Sequence, residues 1–159
     1  MKTFTNISGS IDAVLAKPKV GDVVFILFSM MLQVVFIFQG VDLADSGFNA
    51  TFYQQFFDHP VSVEYNFMFW LTGVIGASFY KLFGFLGLWG IRFLGVLVNT
   101  STVYISYRLL KRHIPRLHAF VGLMIVLLWL NNDIKELNYN SLSALMNVSI
   151  IAFLYHGCI

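Results

Sequence analysis

Carboxylate and amide side chains gather in three segments of this 159-residue chain. Asp42 and Asp45 lie three residues apart, directly after the first long apolar run. Glu64 lies in a second polar segment, residues 58–66, and the third is the polar turn 131–140. The candidate side chains of that turn are Asn138, Tyr139 and Asn140. Such groups at a membrane boundary suit proton abstraction from a hydroxyl group, or cation binding.

Simpler interpretations of these residues remain open. If the first helix continues by one turn, Asp42 and Asp45 share one side of it, and the pair is either a proton-accepting site or a solvated helix end. The triplet Asp58-His59-Pro60 is either an acid–base or metal site, or a turn. The four histidines show no ligand spacing such as H-x-x-x-H, so no cofactor is predicted and a divalent metal has no support.

Polar residues inside the apolar runs have structural and functional interpretations as well. Arg92 lies near the start of a long apolar run, where it either snorkels to the interface or holds an anion such as a lipid phosphate. Gln33, Asn99 and Asn147 are expected to form hydrogen bonds between helices.

Composition indicates the environment in which these residues act. Hydrophobic residues make up 58% of the chain and charged residues 11%, with a mean hydropathy of +0.75. Soluble domains carry about 25% charged residues. The net charge of +2 argues against a nucleic-acid partner, and a single cysteine excludes a disulfide scaffold. The chain is therefore expected to be an integral membrane protein.

Apolar runs predict an all-α polytopic transmembrane bundle. Runs at 23–40, 88–107, 117–130 and from 142 onward give about four crossings. The stretch 67–84 is short, and is predicted to be an amphipathic or re-entrant helix at the outer surface. With four crossings, seven of the ten Lys and Arg residues lie on the cytoplasmic side and three lie outside. If residues 67–84 also crossed, six would lie inside and four outside. Glycines spaced by three, at 73 and 76 and at 84, 87 and 90, indicate close backbone approach.

Three regions follow from this topology. Residues 1–22 are expected to be a cytoplasmic segment and residues 23–159 a transmembrane domain, with an extracytoplasmic loop at 41–87. The expected location is a bacterial inner membrane. Because an apolar run is unfinished at the last residue, the chain is expected to be the amino-terminal part of a longer polypeptide.

The order of these features resembles the amino-terminal part of GT-C fold glycosyltransferases that use polyprenyl-phosphate sugars, of the dolichyl-phosphate-mannose and aminoarabinose transferase types. An acidic residue, Asp45, follows the first helix and precedes an aromatic segment, residues 51–57. His59-Pro60, an aromatic helix ending in Phe83-Gly84, and Arg92 opening the next crossing follow in the family's order. Two further segments resemble the family's sequence pattern, Ser106 to Arg112 and Asn138 to Ser143. The chain departs from the family at Ser46, where a second acid is usual.

The resemblance implies an activity and partners. Asp45, with Asp42 as second choice, would be the general base for an acceptor hydroxyl that attacks the anomeric carbon. Arg92 would stabilise the leaving lipid phosphate. The further substrate-binding candidates are Glu64, Asn138, Tyr139 and Asn140. Implied partners are a lipid-linked sugar donor, an envelope glycan, lipid or protein acceptor, and membrane lipids.

Two other functional classes compete with this interpretation. A non-enzymatic membrane protein, such as a transporter part or an assembly subunit, would line a path with charged mid-helix residues. Here the mid-helix polar residues are neutral, which counts against ion transport. A lipid-modifying acyltransferase or phosphotransferase would need a histidine-based or metal-carboxylate motif, and the sequence shows none.

Overall fold

The computed structural model describes residues 17–38, 45–62, 69–130 and 137–157. These residues form six α-helices and two short 3-10 helices, without a strand among them, so the predicted all-α class is confirmed. The 3-10 helices are Pro60–Ser62 and Gly84–Leu86. The α-helices are α1 (Pro18–Ile37), α2 (Asp45–Gln55), α3 (Trp70–Phe83), α4 (Leu88–Leu110), α5 (Arg116–Leu130) and α6 (Tyr139–Gly157).

Two of these helices are long and apolar enough to cross a membrane, judged by length and composition: Lys19–Ile37 and Leu88–Leu110. At 1.5 Å per residue, about 20 residues span the roughly 30 Å of a hydrocarbon core. They coincide with the apolar runs predicted at 23–40 and 88–107. α1 begins earlier than predicted, with Pro18 in its first turn, where the missing N–H of proline costs nothing.

α1 and α4 run antiparallel. Near the start of α1, the ring of Phe25 stacks on Tyr107 near the end of α4, with 4.2 Å between centroids. In the middle, the Gln33 amide donates to the Thr100 hydroxyl at 2.7 Å. Ile37, at the end of α1, meets the start of α4. The chain between these helices therefore leaves and returns at the same end of the bundle.

α5 and α6 continue this alternation. α5 runs parallel to α1, since Phe25 contacts Phe120 at 5.4 Å and Ser29 contacts Met124 at 3.9 Å. α6 runs parallel to α4, because its first turns share a core cluster with the start of α4 and His156 lies beside Arg112. We call the two ends the basic end and the distal end. The basic end holds Lys17, Lys19, Arg108, Lys111, Arg112 and Arg116, and the distal end holds Ile37, Arg92, Asn138, α2 and α3.

α2 and α3 pack side by side and run in the same direction at the distal end. A β-carbon on Gly73 would overlap the ring of Phe56, and one on Gly76 would overlap the ring of Tyr53. The glycine pair does allow a close approach, but the neighbours are aromatic rings rather than the second backbone that was predicted. The second set serves a different purpose, because Gly87 is a turn residue with φ of +55° and open space around it.

The predicted hydrogen bonds between helices are found for one of the three candidates. Gln33 is 1% exposed and joins α1 to α4. Asn99 is buried within α4. Asn147 is exposed on α6 and joins no other helix among the described residues, so that expectation is wrong.

Candidate functional site

The distal end brings together the segments that the sequence marks as candidates. The Tyr53 hydroxyl of α2 donates to the Leu137 carbonyl at 2.6 Å, which fixes α2 beside the start of α6. The ring of Phe69 lies 4.8 Å from that of Tyr139. Ile91 belongs to the same buried cluster as Leu137 and Tyr53. The last turns of α2, the start of α4 and the turn before α6 therefore form one continuous region, and Asp45 lies eight residues before Tyr53 on α2.

Arg92 is buried in this region, with 4% of its surface exposed. Its Nη1 donates to the Ile37 carbonyl at 2.6 Å. That carbonyl belongs to the last turn of α1, where carbonyl groups lack helical partners and a positive charge is favourable. Arg92 thus does not snorkel outward but joins the ends of two antiparallel helices. Sequence patterns do not predict this contact, because the acceptor is a backbone atom 55 residues away.

Asn138 caps α6. Its Oδ1 accepts the Ser141 N–H at 2.8 Å, and its own N–H donates to the Ser141 hydroxyl at 3.1 Å. This reciprocal pair satisfies backbone donors that a helix start leaves open. The Asn-x-x-Ser spacing before an apolar run was a signal that could have predicted the cap. Tyr139 and Asn140 are exposed beside it.

The acidic candidates are only partly described. Asp45 is the first residue of α2, whereas Asp42 and Glu64 lie outside the described residues. α1 ends at Ile37, with Phe38 as its C-cap, and Asp45 begins a separate helix. The first helix therefore does not continue to Asp45, and the arrangement of Asp42 relative to Asp45 lies outside the described residues.

The triplet at residues 58–60 has the geometry of a turn. The His59 N–H donates to the Gln55 carbonyl at 2.8 Å, and Pro60 starts a 3-10 helix. Asp58 pairs with Lys81 at 3.3 Å on an exposed surface. Within the described ranges there is no group of three or more His, Cys, Asp or Glu side chains able to hold a metal ion.

The basic end carries contacts that sequence reasoning missed. Lys111 forms an ion pair with Asp22, and its ammonium group lies 5.2 Å from the centroid of the Tyr107 ring. Tyr104 donates to the same carboxylate at 3.4 Å. The signal available was a lone acid near the start of α1 and a basic cluster after α4, which meet only if the two helices are antiparallel.

The distal region thus combines a helix that begins with an acid, a buried guanidinium and a capped polar turn. These groups are of the types that could accept a proton and stabilise a phosphate. No family model, no curated protein and no solved structure matches this chain. Its function is therefore inferred from its own residues and their geometry.

Proposed function

We propose that the chain is an integral membrane protein whose helices α1, α4, α5 and α6 cross the bilayer, with the basic end in the cytoplasm. The antiparallel contacts of α1 and α4 support this proposal, because they put the basic residues flanking both helices on one side. α2 has 11 residues, about 17 Å of helix, which is too short for about 30 Å of hydrocarbon. α3 and α5 have similar lengths, 14 and 15 residues, but α5 packs along α1, whereas α3 packs on α2 at the distal end.

We further propose that this protein is a GT-C type glycosyltransferase that acts on the extracytoplasmic side. One observation carries the proposal: α2, which begins at Asp45, packs through Tyr53 against the turn before α6, at the same distal end as Arg92 and away from the basic cluster. The donor would be a polyprenyl-phosphate sugar whose isoprenoid tail lies against the apolar helices. The acceptor would be an envelope glycan, lipid or protein hydroxyl.

The proposed reaction needs one base and one cation. Asp45 takes the proton of the acceptor hydroxyl, and that oxygen bonds to the anomeric carbon as the bond from this carbon to the phosphate oxygen breaks. The polyprenyl phosphate leaves with inversion at the carbon. Arg92 would bring a guanidinium charge to the end of the bundle where that phosphate forms. Glu64, Tyr139 and Asn140 would contact the acceptor.

The test compares two changes from carboxylate to amide at the same end of the bundle. Membranes containing the intact protein are incubated with radiolabelled polyprenyl-phosphate mannose or, separately, polyprenyl-phosphate aminoarabinose. Asp45→Asn should lower transfer per folded molecule by about 10²–10⁴-fold, the contribution of a general base. Asp58→Asn, at an exposed ion pair, is the matched control and should leave transfer unchanged.

Two other outcomes have defined meanings. Loss of transfer by Asp42→Asn, with normal transfer by Asp45→Asn, would move the base to Asp42. Normal transfer by both variants would remove the site from this loop and contradict the enzymatic proposal.

A non-enzymatic membrane protein is the second candidate, favoured by a specific observation. Arg92 and Asn138 both use their side chains to hold helix ends, through the Ile37 carbonyl and the Ser141 N–H. On this alternative, Arg92→Gln would lower the stability of the bundle, and no carboxylate variant would change sugar transfer. Measuring unfolding and transfer on the same preparations separates the two candidates.

A further inference from the structure

A cleft of about 260 Å³ lies between α4 and α6 at the basic end. Its lining residues recur every three or four positions, so each helix presents one face to it. Because α4 and α6 run in the same direction, residues near their two carboxyl ends meet there. The lining residues are Tyr104, Ile105, Arg108 and Leu109 from α4, and Ser149, Ala152 and His156 from α6.

The charge around this cleft is positive. Arg108 is exposed, and the Arg112 guanidinium lies 3.5 Å from Nε2 of His156. Among the residues that the structure describes, no acidic side chain lines the cleft. Among the described residues, Asp22 is the acid at this end, and its carboxylate forms an ion pair with Lys111. Within the described part of the chain, Arg108 has no recorded carboxylate partner, so its charge is available to an anion.

Polarity changes along the cleft. Arg108 and His156 lie within two residues of the described ends of their helices. Ile105 and Ala152 lie about one turn further in, and Ser149 lies two turns from His156, a depth of about 10 Å. The cleft thus has a cationic mouth and a mainly apolar floor with hydroxyl groups. This order matches a lipid, which carries a phosphate at one end and hydrocarbon below it.

We propose that this cleft binds the headgroup of an anionic phospholipid from the cytoplasmic leaflet. The Arg108 guanidinium would donate to the phosphate, the kind of pairing for which arginine is best suited. The glycerol would lie near Ser149, and an acyl chain would follow the groove between α4 and α6. Basic clefts between membrane helices on the cytoplasmic side are suited to such headgroups. The proposal rests on the membrane topology proposed above and not on the sugar chemistry.

The test uses the purified intact protein in mild detergent, with bound lipid counted by native mass spectrometry. The probes are phosphatidylglycerol, phosphatidylcholine and free glycerol 3-phosphate. We expect each protein molecule to retain one phosphatidylglycerol molecule and to retain much less phosphatidylcholine. Arg108→Gln should weaken phosphatidylglycerol binding by about tenfold, as expected from loss of one charge-assisted hydrogen bond.

Two further variants keep the result interpretable. Lys19→Gln removes the same charge from an exposed position on the same end and should change the affinity by less than about twofold. Ala152→Trp fills the cleft without changing charge and should abolish binding. Circular dichroism confirms that each variant keeps its helices.

Several results would overturn the proposal. These are equal binding of phosphatidylcholine, unchanged affinity in both Arg108→Gln and Ala152→Trp, or an equal loss in Lys19→Gln. Displacement by glycerol 3-phosphate at equal concentration would assign the cleft to a soluble phosphate instead. Carbonate extraction of membranes tests the topology separately, and the Asp45 assay tests the enzyme, so failure of either is distinguishable from failure here.

Discussion

At the distal end, α2 and α3 pack aromatic rings directly onto glycine, whereas at the basic end stacked rings of α1 and α4 are joined by a partly buried ion pair. Phe56 and Tyr53 lie where β-carbons on Gly73 and Gly76 would be. At the basic end, Lys111 contacts both Asp22 and the Tyr107 ring. Close packing of rings depends on shape and is lost when a single methyl group is added. Charge contacts tolerate changes in shape but weaken with salt.

The two ends also differ in where their polar side chains are used. Arg92 and Asn138 bind backbone atoms and so hold helix ends in place. Arg108, in contrast, faces a cleft without a recorded acidic partner among the described residues. Helix ends held by such hydrogen bonds suit the positioning of a reacting group, and a cationic basic end suits contact with anionic lipid.

The largest effect on stability is expected at Gly76. Gly76→Ala places a methyl group against the Tyr53 ring, so α2 must move away from α3. We expect a loss of about 1–3 kcal/mol in the free energy of unfolding, the usual cost of overpacking. The measurement is unfolding by titration with SDS in mixed micelles.

The matched control for this change is Gly47→Ala. Gly47 also lies in a helix of the distal end, but a β-carbon there meets nothing within 4 Å. Alanine forms helix better than glycine by up to about 1 kcal/mol, so this variant should be neutral or more stable. An equal loss in both variants would show that the ring–glycine contact does not hold α2 to α3.

The next effect is expected at the cap of α6. Asn138→Ala removes the acceptor for the Ser141 N–H and should cost about 1 kcal/mol. Asn138→Asp keeps an oxygen in that position and should retain most of the stability. If Asn138→Ala unfolds at the same SDS fraction as the native protein, the cap makes no net contribution and a binding role for Asn138 becomes the better interpretation.

The smallest effects on stability are expected at two lysines that form similar contacts at opposite ends of the bundle. Lys81 pairs with Asp58 and lies 5.0 Å from the Phe57 ring, just as Lys111 pairs with Asp22 beside Tyr107. The side chains of the first pair are 57% and 62% exposed, and those of the second 17% and 24%. Lys111→Met should cost about 1 kcal/mol and Lys81→Met less than about 0.5 kcal/mol. A larger loss at Lys81 would reverse the comparison.

Sequence reasoning predicted the features that periodicity and length control. It identified the long helices α1 and α4, the separate helix α3 and the close approach at Gly73 and Gly76. Each depends on residues near one another along the chain. Apolar runs and small-residue spacing therefore carried enough information to predict them.

The site was harder to predict because its contacts join distant segments or end on backbone atoms. Arg92 binds the carbonyl of Ile37, and Tyr53 binds that of Leu137, and no residue type marks a carbonyl acceptor. Asn147 was expected to join helices but is exposed, because polarity alone does not reveal which face of α6 meets α4. The end of α1 at Ile37 also could not be predicted from composition, since Phe38 is as apolar as the residues before it.

The sidedness of the two ends is tested most directly by labelling single cysteines in intact cells, in a Cys158→Ser background. An impermeant maleimide is applied before and after permeabilisation to cysteines at positions 19, 112, 58 and 140. Positions 58 and 140, at the distal end, should react in intact cells. Positions 19 and 112 should react only after permeabilisation. Labelling of position 112 in intact cells, with position 19 protected, would mean that α1 and α4 run parallel in the membrane and would contradict the account.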